Sequence, residues 1–195
     1  MKWVTRKNAK VDRIACPWLI RRFVDRHAQF LFVPAEDVRA VAEREDAIPF
    51  DVEGVELGHV DGRCSFESIM LKYHLTDPAL LRLATIVHGA DVPADVAGVP
   101  EAAGLKAIAH GFSVLHGDND HEKIRLETPL YDALYAWCQE RAAREGQGRA
   151  ASMNIRRAPG DPGARLTEGP RSAYRGISGN QNAIRPALPS CWFPV

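Results

Sequence analysis

The sequence predicts an α+β fold: a helix-rich single domain over residues 1–145, with a few short strands in its N-terminal half, followed by a disordered C-terminal tail. Three observations support this. Strand-like runs of aromatic and β-branched residues occur only before about residue 60. Helical segments with start signals dominate from about residue 64 to 145. Residues 146–195 contain seven glycines and six prolines without sustained periodicity, too few apolar groups to offset ordering entropy.

The predicted elements follow from hydrophobic spacing and turn residues. In the N-terminal half they are a strand at Lys2–Arg6, a helix over residues 18–25, a strand at Gln29–Val33, a helix over 35–46 and a pair of short strands at 48–52 and 55–60. In the second half they are helices over 64–73, 77–89, 100–115 and 128–144. The first helix has two possible starts: Cys16 is its N-cap with Pro17 in the favoured first position, or it begins near Asp12 and bends at Pro17.

The zero net charge of the chain conceals an asymmetry. Residues 146–195 carry seven arginines and two acidic residues, whereas acidic residues exceed basic ones by five over residues 1–145. An Arg-rich tail can contact nucleic acid or acidic surfaces. A solvated tail without such a role, or a shifted reading frame in GC-rich DNA, would have the same composition.

The composition favours a cytoplasmic protein. No run of about 18 apolar residues could cross a bilayer, and the first residues lack the apolar stretch of a secretory signal. The four cysteines form no CxxC pair and no dense framework. We therefore expect free thiols in a reducing compartment, and no membrane partner.

A cluster of polar residues on neighbouring elements is the most informative feature. One face of the helix predicted over 77–89 carries the series Leu80, Ala84, Val87, His88 and Asp91. An apolar stripe therefore runs into a histidine and a carboxylate three residues apart. His59 ends a predicted strand, and Glu67 lies near the first turn of the next helix.

A divalent transition metal would explain this grouping. An ionised carboxylate on a core-facing stripe is costly unless a partner compensates it, and histidine and carboxylate ligands at i and i+3 can converge on one ion. Two imidazoles and two carboxylates favour Mn, Fe or Zn over Ca or Mg. We therefore predict that His59, Glu67, His88 and Asp91 are metal ligands. Taken singly, each has an ordinary alternative, such as the helix dipole for Glu67.

Cys64 is the candidate catalytic thiol. It stands where a helix begins, and the helix N-terminus together with Arg63 could lower its pKa. A thiolate there could bind a metal, reduce an oxidant or sense one. The alternative is a passive cap or a small buried residue.

Three arginines, Arg13, Arg21 and Arg22, form a candidate anion site. If a helix starts at Pro17, its N-terminus and these guanidinium groups could hold a tetrahedral oxyanion such as sulfate or chromate. Ordinary surface ion pairs with nearby aspartates are the alternative.

Several function classes have no support in the sequence. P-loop, GxGxxG, HExxH, GxSxG and zinc-finger spacings are absent, which argues against nucleotide-driven and standard hydrolase chemistry. No helix-turn-helix pattern with basic recognition residues stands out before residue 145, so we do not expect the globular part to bind nucleic acid.

Six blocks of the sequence resemble the C-terminal domain family of ChrB proteins. In order they are KVDRIACPWLIRRFVD, FLFV, IPFDVEGVELGHVDGRCSFESIMLKYHL, DPALLRLATIVHGAD, PEAAGL and LYDALYAW. Together they cover about residues 2–140. The motif positions that match are Asp12, Arg13, Cys16, Trp18, His59, Cys64, Phe66, Glu67, His88 and Asp91, whereas Pro17 and Gly89 depart from the pattern.

The resemblance implies a role in bacterial chromate resistance, a stress response, with chromate or another oxyanion as partner. Longer members of the family are similar to chromate-responsive regulators with an added winged-helix-like N-terminal part, and others are linked to rhodanese-like sulfurtransferase domains. Because this chain starts almost directly with the C-terminal type of domain, we do not expect direct DNA binding.

Three functions stay open at this level. The first is a metal-binding chromate-resistance domain that acts as a sensor or as a metal-dependent enzyme. The second is a transcriptional regulator or binding module whose polar cluster only stabilises the fold. The third is redox or sulfur-transfer chemistry at Cys64 or Cys16.

Overall fold

The computed structural model describes residues 1–92 and 98–155, with the backbone alone over 149–155. The strands are β1 (Lys2–Arg6), β2 (Gln29–Val33) and β3 (Ala47–Pro49). The helices are α1 (Val11–Phe23), α2 (Val38–Glu45), α3 (Ser65–Lys72), α4 (Pro78–Asp91), α5 (Pro100–His116) and α6 (Asp120–Ile155), with a 3-10 turn at Ala35–Asp37 before α2. The fold is α+β and helix-rich with its strands in the N-terminal half, so this part of the predicted fold class is confirmed.

The sheet has three strands in the order β2-β1-β3, and both pairings are parallel. Lys2 at the start of β1 lies opposite Gln29 of β2 on one side and Ala47 of β3 on the other. Parallel neighbours require crossover connections, and α1 and α2 supply them. Trp3 and Val4 of the central strand are fully buried.

The predicted pair of strands at 48–52 and 55–60 is wrong. β3 ends at Pro49 and pairs with β1, and the following segment forms only isolated bridges, Phe50 with Leu57 and Val60 with Arg63. Proline cannot donate to a ladder, and Asp51 (φ +50°) and Gly54 (φ +72°) turn the backbone out of the strand conformation. The result is a loop that carries two residues of the site described below.

α1 begins at Val11, the earlier of the two predicted starts. Cys16 and Pro17 are therefore buried residues in the middle of the helix, and Cys16 is not its N-cap. The helix continues through Pro17, which lacks an N–H to bond the preceding turn, because the residues around it pack into the core. The anion site predicted at a helix start near Pro17 consequently loses the N-terminus on which it depended.

The main core lies among the helices. α4 packs against α5 and α6, and α1 packs against α3, α4 and α6. Fully buried side chains at these contacts include Leu19, Leu83, Val87 and Tyr131. None of the described helices combines the length and the apolarity that a membrane span needs.

α6 is longer than predicted at both ends. It starts at Asp120 rather than 128. Only residues 117–119 separate it from α5, and the second half of the polar segment HGDNDHEK (116–123) is already helical. It also continues to Ile155, past the tail boundary predicted at 146. The rest of the predicted disordered tail, residues 156–195, lies outside the described residues.

Candidate functional site

Three carboxylates converge on the imidazole of His59, which lies in the loop between β3 and α3. The Nε2 atom of His59 lies 3.2 Å from Oδ2 of Asp91, 3.4 Å from Oδ1 of Asp51 and 3.5 Å from Oδ2 of Asp12. We call these four residues the aspartate cluster. They line a pocket of about 370 Å³.

The four residues of the aspartate cluster come from three parts of the chain. Asp12 is the second residue of α1, Asp51 and His59 lie in the loop after β3, and Asp91 is the last residue of α4. Asp12 and Asp51 are only 1% and 4% exposed, whereas the side chain of His59 is 47% exposed. The cluster therefore combines two buried carboxylates with a histidine that is half exposed to solvent.

Asp12 caps a helix other than its own. Its Oδ2 accepts a hydrogen bond from the backbone N–H of Ser65 at 2.6 Å, and its Oδ1 accepts one from the N–H of Phe66 at 3.1 Å. These are the first two N–H groups of α3, which have no partner within the helix. The carboxylate thus satisfies two donors and lies at the positive end of the helix dipole.

Asp51 is held by several donors. It accepts hydrogen bonds from the Ser65 hydroxyl at 2.9 Å, from Arg13 at 3.1 Å and from Arg6 at 3.3 Å. Burial raises the pKa of Asp51, but the hydrogen bond from His59 and the nearby guanidinium groups outweigh it, and the net pKa is lowered. Asp51 is therefore ionised near neutral pH.

The pKa values of His59 and Asp91 are both raised, for different reasons. Hydrogen bonding to Asp12 and Asp51 raises the pKa of His59 to about 10. Burial, followed by repulsion from Asp12 and Asp51, raises the pKa of Asp91 to about 6, against the attraction of His59. The negative charges of Asp12 and Asp51 contribute to both shifts, so they favour a positive charge at the Nε2 atom of His59.

A second group of side chains surrounds the start of α3. The Nδ1 atom of His88 lies 2.7 Å from Oε2 of Glu67, and the same oxygen accepts a hydrogen bond from the Cys64 N–H at 2.9 Å. Cys64 is the N-cap of α3 and Glu67 its third residue, so they form a capping box. The donor atoms of Cys64, Glu67 and His88 all lie within 4.8 Å of one another. We call these three residues the thiol cluster.

The surroundings of Cys64 oppose an acidic thiol and favour the alternative of a small buried residue. Cys64 is fully buried, and burial, with a contribution from the charge of Asp12, raises the pKa of its thiol well above the usual value. Arg63 does not offset this, since its guanidinium group bonds to Asp61 at 2.8 Å. Without a bound cation the Cys64 thiol is neutral, and a catalytic role for it stays a prediction.

The four predicted metal ligands are thus divided between two clusters. His59 and Asp91 belong to the aspartate cluster, whereas Glu67 and His88 belong to the thiol cluster. Asp12 and Asp51 were missed as site residues in the reasoning from spacing. A signal was available for Asp12, because it is the one acidic residue in the mostly apolar run from Val11 to Ile20, where a carboxylate needs a specific partner.

The three predicted anion-binding arginines do not share a pocket. Arg13 lines the pocket of the aspartate cluster together with Arg6 and Lys10. Arg21 and Arg22 line a different pocket. There Arg22 pairs with Asp132 at 2.9 Å.

Comparisons with known proteins bear on the identity of the domain. The family model described as "ChrB, C-terminal domain" matches residues 3–138. "Protein ChrB" of Cupriavidus metallidurans is 42% identical over 113 residues, a match that covers 56% of this chain and 32% of that relative. The match thus spans about a third of the length of the curated relative. No solved structure matches the chain.

Proposed function

The chain belongs to the ChrB C-terminal domain family, as its sequence blocks predicted, and from that premise we propose that this chromate-resistance domain binds a divalent transition metal at the aspartate cluster. One observation carries the proposal: a single imidazole nitrogen lies within 3.5 Å of three carboxylates. The proposed ligands are His59 and Asp91, which the sequence analysis also named, and Asp12, which the structure adds.

The balance of charge favours a cation in this position. Arg6 and Arg13 pair with Asp51, but among the described residues no lysine or arginine pairs with Asp12 or Asp91. His59 is therefore the cation that faces both of them. Buried carboxylates are stable only when they are paired or coordinate a metal. A divalent ion bound by the His59 nitrogen would replace the proton of the imidazolium and supply a larger compensating charge.

The donor set indicates the kind of metal. Oxygen atoms of Asp12 and Asp91 and a nitrogen of His59 lie within 4.8 Å of one another, and Asp51 adds a further carboxylate beside them. Carboxylates with an imidazole suit Mn, Fe or Zn better than Ca or Mg. Hydrogen bonds from α3 and from Arg13 hold Asp12 and Asp51, which is the support that metal ligands need.

The surroundings of the site favour an oxyanion as its ligand or substrate. Arg6, Lys10 and Arg13 line the same pocket as the aspartate cluster. Guanidinium and ammonium groups recognise tetrahedral oxyanions, and a metal held by three protein ligands can take a further oxygen ligand. We infer that chromate or a related oxyanion binds here, next to the metal, in a sensor or a metal-dependent enzyme.

Metal analysis of the purified full chain tests the proposal. The protein is stripped with a chelator, loaded with Mn, Fe(II) or Zn, dialysed and assayed for metal content. His59→Ala should lose one equivalent of metal and still fold, because the side chain is half exposed. The matched control is His27→Ala, an exposed histidine outside both clusters. Equal metal content in wild type and His59→Ala would contradict the proposal.

A binding module without a metal is the second candidate. It is favoured by the hydrogen bonds that α3 donates to Asp12 and Asp51, which by themselves give both carboxylates a role in the fold. If this second candidate is right, saturating Mn²⁺ leaves the thermal unfolding temperature unchanged. A metal-dependent rise that is lost in His59→Ala excludes it.

A further inference from the structure

We propose that the thiol cluster is a second metal site, formed by Cys64, Glu67 and His88 and selective for zinc. It shares no ligand with the aspartate cluster, so it goes beyond the function proposed above. Each site can exist without the other. The sequence alone placed Glu67 and His88 with His59 and Asp91, whereas the structure groups them with a cysteine.

The three donor atoms are close to the spacing that a metal ion requires. In a tetrahedral zinc site with bonds of 2.0–2.3 Å, neighbouring ligand atoms lie about 3.3–3.8 Å apart. The donor atoms of the cluster lie within 4.8 Å of one another, and the Glu67–His88 pair is at 2.7 Å. A small rotation of the Glu67 and His88 side chains would open this hydrogen bond and admit an ion between them.

The backbone already holds two of the ligands in place. Cys64 and Glu67 are joined by the capping box at the start of α3, where Glu67 accepts the hydrogen bond of the Cys64 N–H. His88 projects from the last turn of α4, which packs against α3. Ligands placed on helix ends in this way lose little conformational entropy when they bind.

The charges of the cluster match a zinc ion. A thiolate from Cys64 and the carboxylate of Glu67 carry two negative charges, and a neutral His88 adds none, so Zn²⁺ gives a neutral, partly buried site. The thiol is fully buried, and a buried thiolate is stable only with a cation beside it. A coordinating metal displaces the thiol proton, and that proton leaves to solvent.

The donor types set this site apart from the first. Sulfur is a soft ligand that selects zinc over Mn and Mg, whereas the aspartate cluster offers mainly oxygen. A solvent path is present, because Glu67 lines a groove of about 470 Å³ between α3 and α4. Three protein donors leave a position for a further ligand on a tetrahedral ion.

Cobalt substitution distinguishes the two sites. Bound to the full chain, Co²⁺ should give a thiolate-to-cobalt charge-transfer band, which only a sulfur ligand produces. We expect the band in wild type and in His59→Ala, and its loss in Cys64→Ser. Cys138→Ser is the matched control, since Cys138 is also a buried thiol and lies on α6, outside the cluster. No band in wild type, or a band that persists in Cys64→Ser, would overturn the proposal.

Glu67→Gln keeps the test decisive if Cys64→Ser fails to fold. Glutamine preserves the capping box but removes the charged ligand. We expect zinc affinity at this site to fall by at least about tenfold, the lower end of what loss of a supporting group costs. An unchanged affinity in Glu67→Gln and in His88→Gln would overturn the site, whatever the metal content of the aspartate cluster.

Discussion

His88 and Asp91 lie one turn apart on α4, yet they contact different partners. His88 contacts Glu67 at 2.7 Å, and Asp91 contacts His59 at 3.2 Å. The last turn of α4 therefore supplies one residue to each cluster. Helical spacing predicted the two residues on one face of α4. In the structure, α3 contacts His88 through Glu67, and the loop before α3 contacts Asp91 through His59.

Metal should stabilise the chain through the aspartate cluster. A ligand at 100 times its dissociation constant stabilises the folded state by about 2.7 kcal/mol. We expect Mn²⁺ at that excess to raise the thermal unfolding temperature of wild type measurably, and to leave His59→Ala unchanged. Manganese is the ion of choice here because the thiol cluster binds it poorly. A rise of the same size in both proteins would mean that the metal binds elsewhere.

Asp12→Ala should destabilise the fold more than Asp12→Asn. Alanine leaves the N–H groups of Ser65 and Phe66 without an acceptor, at a cost of about 2 kcal/mol, whereas asparagine retains one acceptor oxygen. Urea unfolding followed by circular dichroism measures the difference. If the two variants lose equal stability, the capping bonds do not account for the role of Asp12.

Lys123→Met should be strongly destabilising. Lys123 is 0% exposed, and its Nζ donates to the carbonyls of Ala9 and Gly117 and pairs with Asp120 at 2.8 Å. Removing one partner of a buried ion pair leaves the other uncompensated, at a cost of about 3–5 kcal/mol.

Lys7→Met is the control for the lysine substitution. Lys7 is exposed in the segment next to Ala9, and its replacement should change the free energy of unfolding by less than about 0.5 kcal/mol. Similar losses in the two variants would show that Nζ of Lys123 has no special contribution.

Glu127 should make stability depend on pH. It is 1% exposed, both of its carboxylate oxygens lack a hydrogen-bond partner among the described residues, and burial raises its pKa to about 7 from an ordinary value of 4.5. The folded state therefore binds more protons than the unfolded state between these values. It follows that its contribution to stability falls as the pH rises from 4.5 through 7.

Glu127→Gln removes that dependence. We expect the variant to be more stable than wild type at pH 8, by up to about 3 kcal/mol, and the advantage to shrink towards pH 4. Urea midpoints at the two pH values measure it. The control is Glu140→Gln, an exposed residue on the same helix. A constant difference across the pH range would assign the effect to packing.

Local signals predicted much of the fold. β2 was predicted with its observed limits, because QFLFV is a short apolar run stopped by proline. The start of α4 followed from Asp77 and Pro78, and Asp77 does accept a hydrogen bond from the Leu80 N–H. The predicted pair of strands at 48–52 and 55–60 was wrong because the spacing of apolar residues shows that a strand forms but not which strand it pairs with. Here the partner is β1 and not the next segment.

The contacts within the two clusters were harder to predict from local signals. The bonds of Asp12 with Ser65 and Phe66 join residues more than fifty positions apart, and no periodicity connects them. Likewise, the sequence indicated that Glu67 and His59 lie near His88 and Asp91 of α4. It did not show that Glu67 contacts His88 whereas His59 contacts Asp91. The metal itself stays a prediction, and the experiments above decide it.

The capping of α3 by Asp12 has a consequence for folding order. An eight-residue helix is too short to persist alone in water, and the acceptor for its first two amides comes from α1. α3 should therefore form only after α1 has docked, so the amide hydrogens of Ser65 and Phe66 should exchange with solvent only when that contact opens. Because the first turn of α3 touches both clusters, one local unfolding event would dismantle them together.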